Sequence, residues 1–342
     1  MKVFTGVQSR HLADVAAAAK KAEELGFDGL GFGEVSVDAF LPATLAASST
    51  TSLTVGTSIT LAFVRSPMAT AYTAWGIQEL SGGRFQLGLG SQVRGHNERR
   101  FSVKWTPPAP RMREVINALR AIWDCWQNGT PLSFSGNEYA FSLMPPEFNP
   151  GPVPGGPPKI NLAGINPNMV RLAGELADGF LPHGFNSDKY MTEAILPNLE
   201  AGARKAGRTL KDLEISGGGF IISGRNDEEV AKNYEAARRR ISFYGSTRAY
   251  FPVWEIHGWQ STGEQLREMS FRNRWSEMPG LITDEMVDAL CLITTHDNLP
   301  SALLKRYGGY ATRVSLEFPR DPEAEAVTKK IIAEFHAQTA PV

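Results

Sequence analysis

Leu80-Ser81-Gly82-Gly83-Arg84-Phe85-Gln86-Leu87-Gly88-Leu89-Gly90 contains the end of a helix, a tight turn and a short buried strand. The preceding residues, Met68 to Leu80, have helical spacing, and Ser81-Gly82-Gly83 stops them, because glycine reaches the left-handed backbone that ends a helix. Arg84 to Leu89 then reads as a strand closed by Gly90. A helix that turns within three residues into a short apolar strand is half of a βαβ unit. Such strands belong to parallel sheets covered by helices.

The same rhythm continues on both sides. Upstream, strands are expected at Lys2–Val7, Gly29–Phe32 and Leu53–Ile59, with helices from about His11 to Leu25, where Ser9 can cap, and at Leu41–Ala47. Downstream, a long helix over Arg111–Gln127 carries Val115, Leu119, Ile122 and Trp126 on one face. Strands follow near Lys159–Leu162, Gly179–Leu181, Leu213–Ser223 and Arg313–Phe318. Helices fall between them near Pro167–Glu175, Ser187–Ala206 and Asn226–Phe243. About eight strands in 342 residues suit a closed (β/α)8 barrel of TIM type, with a doubly wound sheet as the alternative. We read residues 1–342 as one α/β domain with insertions at about 129–158 and 243–290 at the C-terminal mouth.

Three segments interrupt the rhythm. Residues 129–144 form a small β excursion, and 145–158 hold seven prolines and three glycines, a stiff loop that could cross a barrel face. Residues 243–275 carry eight aromatics: Phe243, Tyr244, Tyr250, Phe251, Trp254, Trp259, Phe271 and Trp275. They form either a lid over an apolar pocket or a packing and dimer face.

Composition narrows the function. Hydrophobic residues make up 42%, charged residues 21% and the formal net charge is −1, so no global field draws nucleic acid. No run approaches the roughly 18 apolar residues of a membrane helix, and nothing at Met1-Lys2-Val3-Phe4-Thr5 resembles a signal peptide. Cys125 and Cys291 match no metal or disulfide pattern, which suits a reducing, cytoplasmic setting. The six histidines show no metal spacing, so no metal site is expected, and there is no nucleophile elbow, Walker loop or Rossmann glycine fingerprint. A cofactor that brings its own reactivity fits such a chain.

In a barrel, ligands sit at the C-terminal strand ends. That rule selects Gln8, Glu34, Ser58 to Thr60, Gly90 to Asn97, Ala163 to Asn166, His183 and Gly217 to Phe220. Arg94, Arg99, Arg100, Lys104, Arg111 and Arg113 face one acid, Glu98, within 94–113. They form either a groove for a polyanionic tail or a solvated helix start. Ala163-Gly164-Ile165-Asn166 precedes Pro167 at a helix start, where free N–H groups bind phosphate or Asn166 merely caps.

Together these residues resemble the luciferase-like monooxygenase superfamily. The Leu80–Gly90 stretch is the most specific. Ala22-Glu23-Glu24-Leu25-Gly26-Phe27-Asp28, Leu53-Thr54-Val55-Gly56-Thr57-Ser58, Arg65-Ser66-Pro67 and Ala173-Gly174-Glu175-Leu176-Ala177-Asp178-Gly179-Phe180 support it, over roughly residues 1–240. Gln92 to Phe101 and the long helix are similar to an actinobacterial branch that uses coenzyme F420. The resemblance implies a homodimeric barrel, a non-proline cis peptide at Ser58-Ile59 behind the cofactor ring, and Asn97 against that ring. It also implies a phosphate turn at Gly164-Ile165-Asn166. The assigned cofactor set is Gln8, Thr57, Ser58, Ile59, Gly90, Asn97, Arg99, Ala163, Gly164, Ile165 and Asn166. The aspartate–histidine pair that the family's sugar-phosphate dehydrogenase members carry after the second strand is Glu34-Val35 here, and their acid after the fourth aligns near Val93, so sugar-phosphate oxidation does not follow. Glu34 and His96 are the acid–base candidates. The expected activity is F420-dependent hydride transfer with an apolar or aromatic organic substrate. The alternatives are an FMN-dependent two-component monooxygenase and a cofactor-binding protein without turnover.

Overall fold

The computed structural model describes residues 1–7 and 11–339. Eight parallel strands run in the order β1 (Lys2–Gly6), β2 (Gly29–Phe32), β3 (Thr54–Thr57), β4 (Phe85–Gly90), β5 (Lys159–Gly164), β6 (Gly179–Pro182), β7 (Glu214–Ile215) and β8 (Arg313–Glu317). β8 pairs with β1 in register Val3 with Val314. The ring closes between β7 and β8 through a Ser216–Arg313 bridge and the Gly217 N–H to Arg313 carbonyl bond of 2.9 Å. Closure decides for the (β/α)8 barrel over the doubly wound sheet.

Helices form an outer ring because each has one apolar stripe to bury. In α1 (Val15–Leu25) the buried residues are Val15, Ala19, Ala22 and Leu25, and Gly26 at φ 91° ends it. α2 (Phe40–Ser49) follows β2. α3 (Pro67–Leu80) lies beside the long α4 (Pro108–Asn128), where Trp75, Trp123 and Trp126 pack with centroids 5.5–6.5 Å apart. α5 (Pro167–Leu176) and α6 (Asp227–Gly245) cover the other side. Along the chain between them, the stretch read as one helix over 187–206 is helical in three pieces, with a π-helical turn at Met191–Ile195.

The excursion at 129–144 is a two-stranded antiparallel pair, Phe134–Ser135 with Ala140–Phe141. It turns back along α4, where Arg111 Nε donates to Tyr139 Oη at 3.0 Å. The proline loop then descends over the outer helices instead of crossing the mouth. Trp75 Nε1 donates to the Gly151 carbonyl, and Gln78 Nε2 to that of Gly156.

The run read as one strand over 213–223 divides. β7 ends at Ile215, Gly217-Gly218-Gly219 breaks the ladder with Gly219 at φ 88°, and Phe220–Gly224 leaves the barrel. It pairs in parallel with Cys291–Thr295, a strand the sequence pattern did not reveal. Inside the barrel, a polar network links β4, β5, β7 and β8. Gln86 Oε1 accepts from Asn161 Nδ2 and Arg313 Nη1 at 2.8 and 2.9 Å, and Gln86 Nε2 donates to Glu214.

Candidate active site

The mouth is built from strand ends, and over β2 to β4 these are tied together by side-chain hydrogen bonds. Glu34, just beyond β2, is 9% exposed, and both its oxygens are taken. Oε2 accepts from Thr60 Oγ1 (2.7 Å), the Leu61 N–H (2.9 Å) and Arg65 Nη1 (3.0 Å), while Oε1 accepts from Arg65 Nη2 (2.6 Å). Asp38 holds Arg65 from the other side at 2.7 Å. Glu34 is thus a clamp on the segment after β3.

That segment carries the Ser58–Ile59 peptide, which is cis. Ser58 is exposed and Ile59 half-buried at the mouth, between buried Thr57 and Thr60. Thr57 spends its hydroxyl on the neighbouring strand, donating to the Gly88 carbonyl at 2.8 Å and accepting from the Gly88 N–H. A Cβ on Gly90 would meet Ile59 Cδ1 at 2.5 Å, so glycine is what lets β4 lie against this turn.

The loop after β4 contains a short helix, Arg94–Arg100. Asn97 is 1% exposed and points its Nδ2 at the carbonyls of Ser91 and Val93, while its Oδ1 has no partner among the described residues. A buried acceptor without a donor is costly alone, and a ligand N–H would relieve it. His96 is exposed on the same helix. The basic stretch does not stay together as one groove. Arg94 pairs with Glu98, and Arg113 forms a two-pronged pair with Glu175 at 2.8 and 2.6 Å. Arg113, then Lys205, hold the Glu175 carboxyl down at about 2 against its burial. Arg111 lies over the Phe63 ring. Arg99 is exposed at the mouth and has no acid partner among the described residues.

At the end of β5, Ala163 and Gly164 are half-buried; Ile165, just beyond, is buried, and Asn166 stands at the N-cap of α5. The Asn166 side chain does not cap the helix. It donates to the Ala249 carbonyl at 3.2 Å, which leaves the first-turn N–H groups uncapped by it. Ala249 belongs to the aromatic insertion, so the insertion reaches the barrel mouth. Beside it, Tyr250 stacks on His183 at 4.3 Å and Phe185 packs on Trp254 at 5.0 Å. Trp254 is fully buried, while Phe243, Phe271 and Trp275 remain exposed.

The sequence profile of the family described as luciferase-like monooxygenase matches residues 2–313. The chain belongs to the luciferase-like monooxygenase family. An uncharacterized protein of Mycobacterium tuberculosis is 43% identical over 303 residues, 89% of each chain. A 5,10-methylenetetrahydromethanopterin reductase of Methanolobus tindarius is 27% identical, covering 96% of this chain and 97% of its own. Among solved structures, the coenzyme F420-dependent tetrahydromethanopterin reductase of Methanopyrus kandleri superposes with a TM-score of 0.79 at 20% identity over 99% of both chains. The FMN-bound oxygenating constituent of 3,6-diketocamphane monooxygenase from Pseudomonas putida does so at 0.69 and 16%, over 98% of both.

In this luciferase-like barrel the structure gathers Glu34, Thr57, Ser58, Ile59 and Gly90 on one rim, through the β2–β4 contacts, with Asn97 in the loop that continues β4. Ala163 to Asn166 stand at the end of β5, bridged to the insertion. Gln8 and the capping residue Ser9 lie outside the described residues. His183 directly follows β6, and its strand end alone gives it no role. Its significance rests on Tyr244 and Tyr250, more than 60 residues away, which sequence spacing does not connect. Among the described residues, no helix is long and apolar enough to cross a membrane.

Proposed function

We propose that this protein is a coenzyme F420-dependent oxidoreductase acting on an apolar or aromatic organic substrate. The observation that carries the reading is the unpartnered, buried Oδ1 of Asn97 beside a mouth whose strand-end turn, Ser58–Ile59, faces solvent. Ser58, Ile59 and Gly90 would back the planar ring system, with Asn97 accepting from a ring N–H. Ala163 to Asn166 would hold the phosphate on uncapped N–H groups, and Arg99 the anionic tail. When bound, the deazaflavin supplies a hydride, two electrons and one hydrogen nucleus, that adds to the substrate together with one proton from the protein or solvent.

Glu34, with both oxygens engaged, acts in this reading by positioning the turn. His96, exposed and without a side-chain partner among the described residues, is the group free to move the proton. The 243–275 insertion excludes water on the β5–β6 side, where it already seats Tyr250 and Trp254. The homodimeric, cytoplasmic state expected from the sequence belongs to the same proposal.

The second reading is an FMN monooxygenase. It is favoured by the loss of Arg94 and Arg113 to intramolecular pairs, which shortens any groove for a long anionic tail. Anaerobic incubation with reduced F420 and a panel of aromatic aldehydes, ketones and enones tests the choice. Oxidation of F420 that depends on substrate and not on oxygen supports the proposal. Turnover that requires oxygen and reduced FMN would sink it.

A further inference from the structure

A cavity of about 1230 Å³ lies between the ends of β6, β8 and β1 and helix α6. His183, Phe220, Arg240, Tyr244 and Leu316 line it. Its charged groups come in both signs, Lys232, Arg240 and Arg320 against Glu229, Glu317 and Asp321, so it has no field to gather a polyanion.

His183 is held here in one state. Its Nδ1 accepts the Phe185 N–H at 2.9 Å, which uses the free lone pair and places the ring proton on Nε2. The ring is stacked on Tyr250 at 4.3 Å and met edge-on by Tyr244 at 4.7 Å, so it cannot flip without losing that bond. Burial first, then the charge of Arg240, push its pKa down to about 4, and the ring is neutral at neutral pH. Arg240 is occupied, lying over the Phe220 ring and 3.5 Å from Glu317. The Nε2–H has no partner among the described residues. A rigid neutral donor on an aromatic wall is a site for an uncharged acceptor.

We propose that His183 is the substrate-positioning donor of this protein, its Nε2–H meeting the oxygen of an uncharged carbonyl or hydroxyl compound whose apolar body rests on Phe220 and Tyr244. The assignment rests on the oxidoreductase reading for its meaning, while its test needs no cofactor.

The apoprotein is titrated with acetophenone and with ethylbenzene, which matches it in size and lacks the oxygen, in the wild type, His183→Phe and His183→Gln. His183→Phe is expected to weaken acetophenone about five- to tenfold, one hydrogen bond's worth, and to leave ethylbenzene within about twofold. His183→Gln, which keeps an N–H donor, is expected to recover most of the loss. Long-range 1H–15N spectra of the wild type are expected to show a proton on Nε2 alone, with that signal moving on addition of acetophenone and not of ethylbenzene. Equal losses for both probes, a proton on Nδ1, or no binding of acetophenone to the wild type would overturn the proposal. Failure of F420 to bind would remove the cofactor reading and leave this result standing.

Discussion

Replacing Glu34 with alanine removes four hydrogen bonds at once, and their geometry sets the cost. The Leu61 N–H, on a residue 2% exposed, loses its acceptor, which costs roughly 1–3 kcal/mol. Breaking a buried ion pair costs about 3–5 kcal/mol when the survivor is stranded. Arg65 is not stranded, being 21% exposed and still bound to Asp38 at 2.7 Å, so the pair contributes at the low end or below. A total of about 3 kcal/mol follows. With an unfolding entropy of about 2 cal/mol/K per residue, that corresponds to a drop of roughly 4 °C in Tm. Glu34→Gln keeps a carbonyl for Leu61 and should fall about half as far. Asp38→Ala, breaking a half-exposed pair, should stay within about 1 °C. Calorimetry paired with F420 titration reads both effects, and F420 affinity is expected to fall in step with Tm as the Ser58–Ile59 turn loosens. The reasoning fails if Glu34→Gln leaves Tm and F420 binding untouched while turnover disappears, because Glu34 would then carry the proton.

Gly88→Ala would place a Cβ 2.0 Å from the Thr57 carbonyl oxygen, an atom that moves only with the backbone. A loss of about 3 kcal/mol or more is expected in denaturant titration. Gly76→Ala, on an exposed turn of α3 with nothing within 4 Å of the new Cβ, should stabilise by about 0.5–1 kcal/mol. Arg113→Ala should lower stability, since Glu175 loses its main partner, and leave F420 affinity unchanged. Arg99→Ala should weaken F420 binding and flatten its salt dependence, as fluorescence titration at two ionic strengths would show. His183 titrates lower in the folded chain, about 4, than unfolded, about 6.5, so its contribution is full above the unfolded value and is lost as pH falls from there towards 4. The Tm gap between wild type and His183→Phe should therefore shift towards the variant by the equivalent of about 2 kcal/mol between pH 7 and pH 5. A gap independent of pH would contradict the buried neutral ring.

Much of the fold was legible because its signals are local. Gly29–Phe32 emerged with the expected bounds, and Ser81-Gly82-Gly83 placed the α3–β4 turn, since periodicity and glycine act within a few residues. The 213–223 run misled because its apolar pattern continues through Gly217-Gly218-Gly219 while the ladder does not. Its true partner, Cys291–Thr295, lies about 70 residues on. The site divided in the same way. Strand ends could be picked from one dimension, and with them Ser58, Gly90, Asn97 and the Gly164 turn. What each charge faces could not. Arg113 finds Glu175 62 residues later, Gln86 meets Arg313 across 227, and Glu34 is closed off by Arg65 across 31. Pairings at such separations are set by barrel closure, which no local spacing encodes.

The most direct test is a parallel titration of the purified apoprotein with F420 and with FMN, read by quenching of its tryptophans. The account predicts preferential binding of F420, weakened by added salt and by Asn97→Leu. Preferential binding of FMN would contradict the cofactor assignment and favour the monooxygenase, and binding of neither would contradict the redox assignment altogether.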